Sequence, residues 1–187
     1  MSIEGRGDSG HFWNVSNKLT IFRIGVIPVI ALLLLFPGRA GSFMAAALFF
    51  LAALSDTLDG YLARRRGTVT AVGKLIDPLA DKLLVSTVLI LLIPLGRAPA
   101  WAVAVIVARE MAVTTLRAVA ASHGTLIAAS LFGKAKNLFQ LTATNLLLLH
   151  YPYFSIPVHR LGLLILYVAL FLTVASGVWY FLRYLRG

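Results

Sequence analysis

Apolar residues run along this chain in six blocks separated by short polar clusters. A helix needs roughly 20 apolar residues to cross about 30 Å of hydrocarbon. Blocks near residues 21–36, 42–62, 78–95, 100–121, 136–151 and 161–182 approach or meet that requirement. Between them stand Pro37-Gly38, the polar stretch 64–74, Gly96-Arg97-Ala98-Pro99, His123-Gly124 and the proline-bearing segment 151–157, all of which break helices or turn the chain. The pattern predicts an all-α membrane protein with six transmembrane helices. A polar N-terminal tail over 1–13 is expected to precede a single six-helix domain over 14–187. The first apolar block follows that tail and lacks a small-residue cleavage site, so it reads as a span and not a signal peptide. Within the tail, Ile3-Glu4-Gly5-Arg6 matches a common protease cleavage sequence and carries no functional weight.

Composition agrees with the block pattern, since 59% of residues are hydrophobic and only 13% charged, far from a soluble domain of this length. Charge then orients the spans. Of the seventeen lysines and arginines, all but Arg39, Arg97 and Arg160 fall in the N-terminal segment, the second-to-third and fourth-to-fifth connections with the helix ends that border them, and the C-terminus. The positive-inside rule therefore places both termini on the cytoplasmic side of the cell membrane. A net charge of +10 raises the question of nucleic acid, but there is no basic helix or aromatic-basic interleave. Anionic lipid headgroups or phosphorylated substrates explain the scattered cations better. Cysteine is absent, which excludes disulfides, thiolate nucleophiles and cysteine-ligated metals and leaves the redox compartment open. Trp179, Tyr180, Tyr184, Tyr151 and Tyr153 read as interfacial aromatics, and His123, His150 and His159 as surface or interfacial residues near helix ends. The sixth block has no internal charge and is expected to be scaffold or dimer surface.

The acidic residues break this picture. Apart from Glu4 and Asp8 in the tail, they are Asp56, Asp59, Asp77, Asp81 and Glu110. Carboxylates in apolar segments are costly unless paired or metal-bound, which marks them as a functional site. Asp56 and Asp59 are three apart and Asp77 and Asp81 four apart, so each pair occupies one face of its helix. Pro78 suits a first helical turn, which predicts Asp77 as the N-cap of the third helix. Four converging carboxylates cannot all remain ionised without a cation, and oxygen-only ligation points to one or two hard divalent ions, Mg²⁺ or Mn²⁺. Gly60 and Ala63 leave little side chain beside them, so a phosphate can approach the backbone closely.

The arrangement Asp56-x2-Asp59-Gly60-x2-Ala63-Arg64-x8-Gly73-x3-Asp77-x3-Asp81 resembles, without departure, the signature of the CDP-alcohol phosphotransferase family of membrane enzymes. That resemblance implies six transmembrane helices, a homodimer, and a cytoplasm-facing site where two divalent metals bind the diphosphate of a CDP-linked donor. It implies further that an acceptor hydroxyl displaces CMP. On matching positions, Asp56, Asp59, Asp77 and Asp81 look like metal ligands, with Asp81 also the general base. Asp56, Gly60, Ala63, Arg64 and Gly73 look like the donor-binding set.

A second polar set concerns the acceptor. Arg109 and Arg117 are eight apart on the fourth block with Glu110 beside the first, and Gly133-Lys134-Ala135-Lys136 opens the fifth. Arginine offers bidentate phosphate contacts and lysine adds point charge, so an acceptor that carries a phosphate is expected. Arg109, Arg117, Lys134 and Lys136, with Asn17, Thr20, Arg23 and Glu110 as possible support, are most similar to family members that transfer a phosphatidyl group from CDP-diacylglycerol to sn-glycerol 3-phosphate. Members using inositol phosphate, serine or phosphatidylglycerol are the alternatives. A divalent-cation transporter is a more remote one, because the acids gather toward one face and no polar path continues to the other.

Overall fold

The computed structural model describes residues 15–36, 38–66, 71–122, 131–153 and 155–186; for 15–20, 56–66, 71–81, 117–118, 121–122, 131–132, 134 and 183–186 the backbone alone is described. Among the described residues there are six α-helices: α1 (Val15–Leu35), α2 (Arg39–Arg66), α3 (Ala71–Leu92), α4 (Ala100–Ser122), α5 (Leu131–Leu149) and α6 (Val158–Arg186). Each matches one apolar block. Long apolar runs form helices because a helix satisfies its own backbone hydrogen bonds wherever water is excluded.

One helix start differs from expectation. Asp77 is not an N-cap, because α3 already begins at Ala71 and carries Gly73, Asp77 and Asp81 on successive turns. Proline removes only one ladder hydrogen bond, and the helix runs through Pro78 as α1 runs through Pro28.

α1 packs against α2 and α3; α5 packs against α2, α3 and α6; α4 packs against α3 and α6. The buried faces repeat at three and four residues: Val26, Ile30 and Leu34 on α1, Ala45, Phe49 and Ala52 on α2, Leu84, Val88 and Leu92 on α3. The alanines let backbones approach closely, as is common between helices in lipid. Outward faces are also apolar, with Leu32, Leu35, Phe36, Leu138, Leu164 and Phe171 between 62% and 81% exposed. Within α6, Val158–Leu182 has a mean hydropathy of 2.4 and is long and apolar enough to cross a membrane. The apolar stretches of α1 (Ile21–Leu35), α2 (Arg39–Ser55) and α3 (Lys82–Leu92) are shorter. Tyr180 is buried against the rest of the protein.

At the end of the bundle remote from the aspartates, the chain leaves α3 through a Schellman turn. Gly96 adopts φ 66°, its amide donates to Ile93 O at 2.9 Å, and the Arg97 amide donates to Leu92 O at 3.0 Å. Arg97 is 2% exposed and clamps two helices, donating to Leu148 O at 3.0 Å and to Ser42 Oγ at 2.9 Å. Burial pushes its guanidinium below the ordinary range, and the charge interaction with Tyr151 opposes that shift. α5 ends at Leu149, and His150 follows it with φ 55°, its amide donating to Leu146 O at 3.0 Å. The Nδ1 atoms of His150 and His159 are 3.3 Å apart.

Candidate active site

α2 carries Asp56, Asp59, Gly60, Ala63 and Arg64 in its C-terminal part, and α3 carries Gly73, Asp77 and Asp81 in its N-terminal part. The two stretches adjoin the 67–70 connection, so the backbone gathers the signature at one end of the bundle. The side chains of all these residues lie outside the described set, as do those of Asn17, Thr20, Arg117 and Lys134. Among the described residues there is no group of three or more metal-ligating side chains.

The described part of the site begins one residue beyond Asp81. Lys82 Nζ crosses from α3 to donate to Thr114 Oγ1 on α4, and Thr114 donates in turn to the carbonyl of Glu110 at 2.7 Å. Glu110 Oε1 accepts from Arg109 Nη1 at 3.0 Å and from Lys136 Nζ on α5. Arg109 Nη2 donates to Ser176 Oγ on α6 at 2.7 Å. One network thus ties together α3, α4, α5 and α6. Glu110 and Lys136 are 5% and 3% exposed, and the pairing is what makes burial of either charge tolerable.

Two of the four residues expected to bind an acceptor phosphate, Arg109 and Lys136, are therefore brought together on a single carboxylate. Among the described side chains, Arg109 and Lys136 share the Glu110 carboxylate, and Lys82 reaches the same stretch of α4 through Thr114. Beneath them a cavity of about 20 Å³ is lined by Lys82, Val85, Ser86, Glu110, Asn137, Gln140 and Leu141. That is room for one water. Of the possible supporting set, Arg23 of α1 is buried like Glu110, at 3% exposed.

The residue pattern alone missed Lys82, Thr114 and Ser176. Lys82 was visible as a cation directly after Asp81, and Ser176 as part of the small or polar set Thr173, Ser176 and Gly177 in an otherwise apolar helix. Thr114 gave no signal, because threonine one turn after Glu110 is unremarkable in an apolar helix.

The sequence matches the family described as CDP-alcohol phosphatidyltransferase over residues 13–175, and the chain belongs to that family. It is 44% identical over 181 residues to the CDP-diacylglycerol--glycerol-3-phosphate 3-phosphatidyltransferase of Bacillus subtilis (strain 168), covering 90% of this chain and 94% of that protein. Identity is 39% over 176 residues to the probable phosphatidylglycerophosphate synthase of Mycobacterium tuberculosis (strain ATCC 25618 / H37Rv), covering 92% and 82%. The CDP-diacylglycerol--glycerol-3-phosphate 3-phosphatidyltransferase of Rickettsia bellii (strain RML369-C) is 38% identical over 169 residues, covering 90% and 93%.

Proposed function

We propose that this protein is a CDP-diacylglycerol-dependent phosphatidyltransferase that uses sn-glycerol 3-phosphate as acceptor and yields phosphatidylglycerophosphate and CMP. The observation that carries the reading is the adjacency of two sets: the aspartate signature on α2 and α3, and a network of Lys82, Thr114, Glu110, Arg109 and Lys136 that begins next to Asp81. The names of the relatives, aligned over most of this chain, support the same acceptor. An apolar groove of about 280 Å³ between α2 and α5, lined among others by Phe50, Leu54, Leu138 and Leu146, supports a lipid donor. It reaches along α2 to within one turn of Asp56.

The donor set fits hard divalent ions: four carboxylates, no cysteine, on two consecutive helices. Asp56, Asp59, Asp77 and Asp81 would hold two Mg²⁺ or Mn²⁺ ions. When bound, these neutralise the diphosphate and the departing CMP oxygen. Gly60 and Ala63 leave room for the donor, while Arg64 and the backbone at Gly73 meet its nucleotide or phosphates. Asp81 takes the proton of the acceptor hydroxyl as the new oxygen–phosphorus bond forms and the bond to CMP breaks. Arg109, Arg117, Lys134 and Lys136 hold the acceptor's phosphate, with Glu110 fixing Arg109 and Lys136.

The setting is a multi-pass protein of the cell membrane, its six helices spanning the bilayer, both termini and the aspartates on the cytoplasmic side. The exposed apolar side chains and the bias of lysine and arginine toward that side support this placement. A homodimer follows the family pattern. The test is CMP release from CDP-diacylglycerol with glycerol 3-phosphate, inositol phosphate, serine and phosphatidylglycerol in parallel. Selective use of glycerol 3-phosphate is expected, and preference for another acceptor removes the assignment.

A further inference from the structure

Arg109 lies against α6 in a manner that the reaction scheme above does not use. A Cβ at position 177 would sit 3.1 Å from both Cγ and Nε of Arg109 and 3.7 Å from its Cδ. Only glycine there leaves the arginine stem its present path. The preceding residue supplies a directed partner: Ser176 Oγ accepts from Nη2 at 2.7 Å while donating its own hydrogen to the carbonyl of Leu172 at 2.6 Å or Thr173 at 3.1 Å. With that hydrogen spent on the helix backbone, the serine oxygen presents a lone pair to Arg109. The Nε atom of Arg109 is buried and has no hydrogen-bond partner among the described residues. A guanidinium has five N–H donors in a rigid plane. Here Glu110 takes one hydrogen of Nη1 and Ser176 one of Nη2, which leaves one hydrogen on each Nη to meet a ligand.

We infer that Ser176 and Gly177 of α6 are positioning residues for the acceptor site: Gly177 admits the Arg109 side chain and Ser176 sets the plane of its guanidinium toward the acceptor's phosphate. The inference rests on the reading of Arg109 as a phosphate ligand. It gives α6 a part in substrate recognition beyond that of an apolar scaffold. Bidentate arginine–phosphate contacts depend on the orientation of the guanidinium plane, so a shift of a few tenths of an ångström weakens acceptor binding without touching the donor side.

The experiment is steady-state kinetics on the purified full chain, with glycerol 3-phosphate and CDP-diacylglycerol varied separately. The variants are Ser176→Ala, Gly177→Ala, Gly177→Val and Arg109→Ala. Gly162→Ala serves as a packing control on the same helix, since the three atoms nearest a Cβ there are leucine carbons, Leu147 Cδ2 at 3.1 Å and Leu146 Cβ and Leu147 Cγ at 3.2 Å. KM for glycerol 3-phosphate should rise about threefold in Ser176→Ala and Gly177→Ala and about tenfold in Gly177→Val, with KM for CDP-diacylglycerol unchanged. Gly162→Ala should lower thermal stability without a selective change in either KM. If Arg109→Ala raises the acceptor KM while the Ser176 and Gly177 variants leave it alone, or shift both KM values equally, the positioning role is refuted. If Arg109→Ala itself leaves the acceptor KM unchanged, the reading of Arg109 falls and the role of α6 with it. Ser176→Ala, a one-atom truncation, keeps the test decisive if the Gly177 variants fail to fold.

Discussion

Lys136 of α5 and Glu110 of α4 form a buried ion pair, and the same carboxylate oxygen accepts Arg109 Nη1 at 3.0 Å. Removing the acid leaves a buried ammonium with no counter-charge among its described partners. Glu110→Ala should therefore destabilise the folded protein by about 3–5 kcal/mol. Glu110→Gln keeps the size and one acceptor oxygen and should cost less. Thermal unfolding of both variants in detergent checks the order, and equal stability of Glu110→Ala and the parent would show that the pair is not structurally important.

Asp81 is expected to accept the acceptor's proton. Asp81→Asn should lower turnover by about 10²–10⁴-fold while donor binding is largely retained. CMP release measured beside binding of a CDP-lipid separates the two effects. Full activity in this variant would discard Asp81 as the base.

Metal dependence follows from the all-oxygen donor set. Chelation with EDTA should abolish CMP release, and Mg²⁺ or Mn²⁺ should restore it. Activity that survives exhaustive chelation would contradict the assignment of the quartet as metal ligands.

The end of the bundle remote from the aspartates carries a pH dependence of its own. His150 lies outside the helices, facing His159, with Arg97 and Tyr151 as the other ionisable groups around it. Burial, then the Arg97 charge, then His159 push its pKa below the ordinary 6.5. The folded state thus favours the neutral ring, and below that ordinary value the unfolded chain binds more protons. The contribution to stability is present above about pH 6.5 and is lost as pH falls through the lowered pKa. Melting temperature should drop on acidification from pH 7 toward 5. His150→Asn, which tolerates the positive φ, should flatten that profile. An unchanged slope would assign the dependence to other groups.

The six helices and the location of the signature were legible because both depend on local pattern: runs of apolar residues, and aspartates at helical spacing. The network was not. Glu110 and Lys136 are 26 positions apart and Arg109 and Ser176 67 apart, and which cations meet which acid is decided by how α4, α5 and α6 pack. Helices that are apolar all round give little indication of which face is buried, so the inward turn of Tyr180 and the contact of Ser176 with Arg109 could not be read from periodicity. Pro78 misled for a different reason. A proline is favoured in a first helical turn but does not require one, and α3 extends back to Ala71 through it.

Transfer of a phosphatidyl group to glycerol 3-phosphate can be followed by mass balance in a single assay. Purified protein is incubated with CDP-diacylglycerol, Mg²⁺ and labelled glycerol 3-phosphate, and CMP and lipid-borne label are quantified together. One phosphatidylglycerophosphate should form for each CMP released, with no CMP in the absence of acceptor. CMP release without label entering lipid, or release that does not depend on glycerol 3-phosphate, would contradict it.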